Sequence, residues 1–190
     1  MNNITKIIFE IGVGEAYTSR TSCFWGNPNV ECHLFEPNPK IYNELKSATQ
    51  NFSNVKLYNL AISDKQGEAE LYLANNCSFI DGIDSPIAVQ DGTKNEYKKW
   101  DKTLVQLDTI DNYDNGNIDL LLLDMEGSEW FVLERLKSRP TQIIVETHIS
   151  TNTPPYLNKY MNKILFWMWE NNYQLIMKKG NDSFFKKINE

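Results

Sequence analysis

Apolar and polar positions alternate along this chain in blocks. Nearly continuous apolar runs at Lys6 to Glu10, Val30 to Phe35, Val55 to Ile62, Ile118 to Asp124 and Gln142 to Thr147 read as strands buried on both faces, as in a parallel sheet. Helical spacing separates them: Thr18 to Trp25, closed by Gly26; Pro39 to Thr49, with Asn38 as cap and Pro39 at the first position; and Ser128 to Lys137. After the fifth strand, Pro154 to Asn171 reads as a helix, with Trp167 and Trp169 assigned to core packing. Tyr173 to Lys178 and Ser183 to Ile188, around a Gly180-Asn181-Asp182 turn, read as a terminal antiparallel hairpin. The pattern predicts an α/β fold with right-handed crossovers, a mostly parallel seven-stranded sheet and helices on both faces.

Two stretches depart from the alternation. Glu68 to Leu73 alternates like an extra short strand after the Gln66-Gly67 turn, and Asn75 to Lys102 is polar, with Gly82, Pro86 and Gly92 and no sustained period. A long irregular stretch inside a compact domain is either functional or mobile. The 190 residues suit one domain and are too few for two ordinary ones, so residues 1–190 are read as a single unit.

The first strand runs into Glu10-Ile11-Gly12-Val13-Gly14-Glu15-Ala16, a glycine loop between strand and helix, the context that nucleotide binding requires. Gly12 and Gly14 let the backbone turn tightly and approach a ligand without a Cβ in the way. A dinucleotide fingerprint would place a third glycine at position 17, where this chain has Tyr17. Glu10 beside the loop opposes a bound phosphate and suits an ammonium or a sulfonium. Glu36 ends the second strand, from where a carboxylate can accept bonds from both ribose hydroxyls. Charge sign therefore favours S-adenosylmethionine over a dinucleotide, although Glu36 fits both.

Phe35-Glu36-Pro37-Asn38-Pro39, Asn59-Leu60-Ala61-Ile62-Ser63-Asp64 with Gly67, Val105-Gln106-Leu107-Asp108, the block from Ile118 through Asp124-Met125-Glu126-Gly127-Ser128-Glu129, and Ile144-Val145-Glu146-Thr147-His148 together resemble the successive motifs of the FkbM-type methyltransferases. Order, spacing and residue type agree from about Lys6 to His148. The resemblance implies a Rossmann-like class I methyltransferase fold and S-adenosylmethionine-dependent O-methylation of hydroxyls on sugars, glycans or secondary metabolites. It implies a cofactor site of Glu10, Gly12, Gly14, Tyr17, Glu36, Pro37, Ala61, Ile62 and Asp124. The family usually has Asp at position 10, Asn at 14 and Gly at 16. Glu10 keeps the charge, and Gly14 matches the wider class I loop.

Methyl transfer is an in-line displacement, so the acceptor oxygen must be held behind the methyl group and must lose its proton. Asp124, Glu126, Glu146 and His148 all fall at strand ends, where open α/β sheets place their ligands. His148 is the first choice for general base because imidazole titrates near neutral pH. Asp124 is the second, and Glu126 lies beside it. The same group offers an alternative reading as a Mg²⁺ site, through Asp124, Glu146 and His148 with Glu126, although such carboxylates also serve without metal. Glu129, at a helix start, has a structural reading in the helix dipole at least as strong as a catalytic one. Tyr17 and Trp130 stand next to the motifs as aromatic candidates for shielding a sulfonium. Residues 75–102 are assigned to a lid or acceptor-binding insertion.

Composition narrows the field. The formal charge of -6 and pI near 5.0 argue against a nucleic-acid partner. Lys178, Lys179, Lys186 and Lys187 read as a solvated face. Cys23, Cys32 and Cys77 have neither the even count of a disulfide framework nor zinc spacing, which fits a cytoplasmic location. No apolar run approaches a membrane span, so no membrane partner is expected and the acceptor is taken as a small molecule or glycan. Two alternatives share parts of the pattern. A nicotinamide-dependent oxidoreductase would share the sheet and Glu36 but predicts Gly at position 17 and a parallel sixth strand. A non-catalytic adenosyl-cofactor-binding module would tolerate loss of Asp124 and His148, which are present. Sequence leaves oligomeric state open.

Overall fold

The computed structural model describes residues 5–74, 77–83, 85, 99–147 and 159–188. Its main sheet contains β1 (Lys6–Ile11), β2 (Val30–Phe35), β3 (Val55–Tyr58), β8 (Leu120–Leu123), β9 (Gln142–Glu146), β10 (Tyr173–Lys179) and β11 (Asp182–Lys187). The strand order is β10-β11-β9-β8-β1-β2-β3. Pairings from β3 across to β9 are parallel, whereas β11 runs antiparallel to both β9 and β10. The mostly parallel α/β sheet and its terminal antiparallel hairpin thus agree with the apolar pattern.

Double burial explains the continuous apolar strands. Along β1 and β8, Phe9, Ile11, Leu121 and Leu123 pack on one face with α2 (Trp130–Leu133) and α3 (Met161–Glu170). Ile8 and Leu122 pack on the opposite face with Ile41 and Leu45 of α1 (Pro39–Thr49), as the period-two alternation of a strand requires. Local chemistry starts α1 where expected: Asn38 Oδ1 accepts from Lys40 N at 3.0 Å, and Pro39 occupies the first turn.

Three expected elements are rearranged, each by a contact distant in sequence. The run Val55 to Ile62 splits into β3 and β4 (Ala61–Ile62), because Asn59 Nδ2 donates to the carbonyls of Glu36 and Pro37 and turns the chain off the main sheet. There β4 joins a second sheet of order β4-β7-β5-β6, with β5 (Gly67–Tyr72), β6 (Phe79–Ile80) and β7 (Lys102–Asp108). The expected helix Thr18 to Trp25 is a set of turns ending in a 3-10 turn at Ser22–Phe24. The Glu10 carboxylate takes the Ser19 hydroxyl, the Arg20 N–H and the Thr21 hydroxyl, an alternative to helical bonding that hydroxyl residues offer readily. The helix expected over Ser128 to Lys137 is cut to α2, since Asp114 Oδ2 accepts the N–H groups of Lys137 and Ser138 at 2.7 and 2.8 Å. α3 covers the later part of the helix expected over Pro154 to Asn171, and residues 148–158 lie outside the described residues. Within α3, Trp167 is buried as expected, but Trp169 is 72% exposed, so its assignment to the core is corrected. No helix among the described residues is long and apolar enough to cross a membrane.

Candidate active site

The chain runs outward from β1 through β2 to β3, then returns to place β8 on the other side of β1. The direction of winding reverses between β1 and β8, and a crevice opens beyond the carboxyl ends of the strands at such a point. A cavity of about 950 Å³, its open mouth included, lies there.

Gly12 follows β1 with φ +79°, and a Cβ on it would stand 1.8 Å from the Asp124 carbonyl oxygen. The glycine thus permits the loop after β1 to touch the end of β8. Gly14 also has positive φ, at +66°. Its N–H donates to Glu36 Oε2 at 2.9 Å, while Asn38 N donates to Oε1 at 2.8 Å. Glu36 is therefore tied to the glycine loop on one side and to the start of α1 on the other. Burial pushes its carboxyl above the usual range, and the two amides oppose that shift.

Glu10, Gly12, Gly14, Glu36, Pro37 and Asp124 line the cavity. So do Ala61, Ile62 and Glu126, the first two carried across by the split after β3. Tyr17 does not belong to the wall: it is 81% exposed, because the segment expected to be helical is a turn that points it outward. The described part of the 75–102 insertion supplies Ser78, Phe79 and Ile80 to the wall. Residues 75, 76, 84 and 86–98 of that segment, and His148, lie outside the described residues.

Carboxylates in this region fall into two groups. Glu10 is buried and accepts from Ser19 Oγ (2.8 Å), Thr21 Oγ1 (2.5 Å) and Arg20 N (2.8 Å). These bonds tie Glu10, which lines the cavity, to the segment that follows the glycine loop. Glu129, with no exposure at all, accepts the N–H groups of Met125 and Gly127 at 2.8 and 3.2 Å. It holds the loop after β8 in place, which agrees with the structural reading of its sequence position. Burial raises the carboxyls of both residues, opposed by these hydrogen bonds.

Asp124, Glu126 and Glu146 form the other group, each with an oxygen within 4.8 Å of the others. Asp124 is pushed well above the ordinary carboxylate value, first by burial and then by the charge of Glu146 and a hydrogen bond with it. Arg20 opposes this, with Nη2 at 2.8 Å from Asp124 Oδ2 and 3.1 Å from Asp182 Oδ1 at the start of β11. Glu126 has φ +52°, uncommon for a residue with a side chain and a form of strain that gathers at functional sites. Ser85 Oγ donates to it at 3.3 Å, and the Cys77 thiol, pushed up to about 12 by burial and by the Glu126 charge, bonds to it as well. The three carboxylates offer the oxygen ligands that Mg²⁺ uses.

Sequence reasoning missed Arg20 as a member of this site, whereas Cys77 and Ser85 fall within the 75–102 segment assigned to the acceptor wall. Arg20 sat inside an expected helix. Its only local signal is the polar Ser19-Arg20-Thr21 triplet directly after the loop.

Strand order, glycine loop and a carboxylate at the end of β2 define a cleft of the kind that adenosyl cofactors occupy at the reversal point of an open sheet. The profile of the methyltransferase FkbM domain matches residues 10–175, and the chain belongs to that family. No curated protein matches the sequence. Among solved structures the chain is similar to the precorrin-6y C5,15-methyltransferase of Geobacter metallireducens GS-15, at 14% identity and a TM-score of 0.46, over 95% of this chain and 78% of that one.

Proposed function

We propose that the chain is an S-adenosylmethionine-dependent methyltransferase that methylates a hydroxyl oxygen of a sugar, glycan or secondary metabolite. The observation that carries the cofactor assignment is the charge of the cavity. Among the described residues its wall holds Glu10, Glu36, Asp124 and Glu126 against the single cation Arg20. Such a wall repels a pyrophosphate and favours a sulfonium. Gly12 and Gly14 let the backbone approach the ligand, and each oxygen of Glu36 keeps a lone pair beyond its amide bond for a ribose hydroxyl. Pro37, Ala61 and Ile62 form an apolar flank suited to the adenine ring. The oxygen acceptor follows from family resemblance, and it requires a base.

S-adenosylmethionine, when bound, supplies an electrophilic methyl group on sulfur. The chain must position the acceptor oxygen in line with it and remove the hydroxyl proton. His148, one residue beyond Thr147, is the first choice for that proton. Asp124 is the second, because its raised pKa makes it a stronger base than an ordinary carboxylate. The arm from Cys77 to Ser85 reaches Glu126 and forms the acceptor side of the wall, where excluding water favours transfer to the acceptor.

Incubation with methyl-labelled donor and a panel of sugars and glycans should place label in an alkali-stable ether. Label released by mild alkali, as from a methyl ester, or bound to nitrogen would overturn the hydroxyl assignment. His148→Ala should abolish transfer while retaining cofactor affinity; turnover at the wild-type rate would move the base to Asp124.

A further inference from the structure

The geometry points to Arg20 as the residue that holds the carboxylate of the cofactor's amino-acid end, an inference that rests on the methyltransferase reading above. Arg20 is the one cation among the described residues of the cavity wall. Its backbone N–H is fixed to Glu10 Oε1 at 2.8 Å, so the side chain starts from a set place directly beyond the glycine loop. Its described side-chain contacts both leave from Nη2, a hydrogen bond to Asp124 and an ion pair with Asp182. A guanidinium has five N–H donors in a planar fork. The donors on Nη1 and Nε have no protein acceptor among the described residues, and the side chain keeps 30% of its surface.

Charge leaves a zwitterion one orientation in this wall. A ligand carboxylate is repelled by Glu36, Asp124 and Glu126 and, among the described residues, attracted only at Arg20, where it can form the two parallel bonds that the fork allows. The ligand ammonium then falls toward Asp124 and Glu126. Glu10 is already bonded within the chain to Ser19, Arg20 and Thr21. Arg20 thus selects ligands that carry an amino acid on the adenosyl sulfur over those that carry a plain alkyl group.

Calorimetry with two cofactor analogues tests this without knowledge of the acceptor. S-adenosylhomocysteine has the amino-acid end, and 5′-methylthioadenosine lacks it. Arg20→Ala should weaken the first by about 10- to 100-fold, the scale of a charge-assisted pair, and change the second by less than about twofold. Arg20→Lys should recover part of the lost affinity. Asp182→Asn, which removes the hairpin contact and leaves Arg20 in place, should change neither by more than about twofold. The inference is overturned if Arg20→Ala weakens both analogues alike, if it weakens neither, or if Asp182→Asn matches its effect. Should the wild-type chain bind neither analogue, the cofactor reading itself fails, a result distinct from any of these.

Discussion

Glu126 and Glu129 lie three residues apart in one loop, yet they occupy opposite electrostatic situations. Glu129 is fully enclosed and accepts two backbone N–H groups of that same loop. Glu126 has a positive φ, faces the cavity, and shares its surroundings with Asp124 and Glu146. Glu10 repeats the first pattern at the end of β1, and Asp124 repeats the second at the end of β8. The comparison teaches that residue type alone does not assign a role to a carboxylate. Donors from the chain turn one set into braces, while in the other, three carboxylates crowd within 4.8 Å and burial with the Glu146 charge raises the Asp124 carboxyl.

The largest expected effect breaks the platform that both sets share. Gly12→Ala drives a Cβ into the Asp124 carbonyl and should cost about 3 kcal/mol or more, with loss of S-adenosylhomocysteine binding in calorimetry. Next comes a brace: Glu129→Ala strands the N–H groups of Met125 and Gly127 in the interior and should cost about 3 kcal/mol in chemical denaturation. Glu129→Gln, which keeps a carbonyl acceptor, should cost less than half of that loss.

The reactive set should respond with the opposite sign. The folded-state pKa of Asp124 is raised above its ordinary 3.8. Its protonated form therefore contributes stability that is complete below that value and is lost as pH rises through the folded pKa. Asp124→Asn stays neutral throughout, so it should match the wild type near pH 3.5 and exceed it by about 1 kcal/mol near pH 8. It forfeits the Arg20 pair, but that attraction is smaller than the burial and Glu146 contributions. Denaturation curves at several pH values check this, and the variant should be impaired in methyl transfer despite its stability. The smallest effect is expected at Tyr17, whose 81% exposure predicts that Tyr17→Ala changes cofactor-analogue affinity by less than about twofold.

What could be read from the sequence was what neighbours in sequence determine. α1 starts where Asn38 and Pro39 place it, and the buried strands announce themselves because both faces need apolar side chains. Gly12 and Gly14 were legible for the same reason, as a short loop directly after β1, and Glu36 as the carboxylate that directly follows β2. The turns at 18–25 were not, since they depend on Glu10 capturing the Ser19 and Thr21 hydroxyls in place of helical bonding. The break after Tyr58 depends on Asn59 reaching Glu36 and Pro37, and on pairing with β7 far along the chain. Arg20 was hidden inside an expected helix, and although Cys77 and Ser85 lie in the segment assigned to the acceptor wall, their contacts with Glu126 depend on a loop far along the chain.

Titration calorimetry with S-adenosylhomocysteine and, separately, NAD tests the central claim that this acidic cleft holds an adenosyl sulfonium cofactor. Micromolar binding of S-adenosylhomocysteine and none of NAD is expected. Binding of NAD with no response to S-adenosylhomocysteine would contradict that claim.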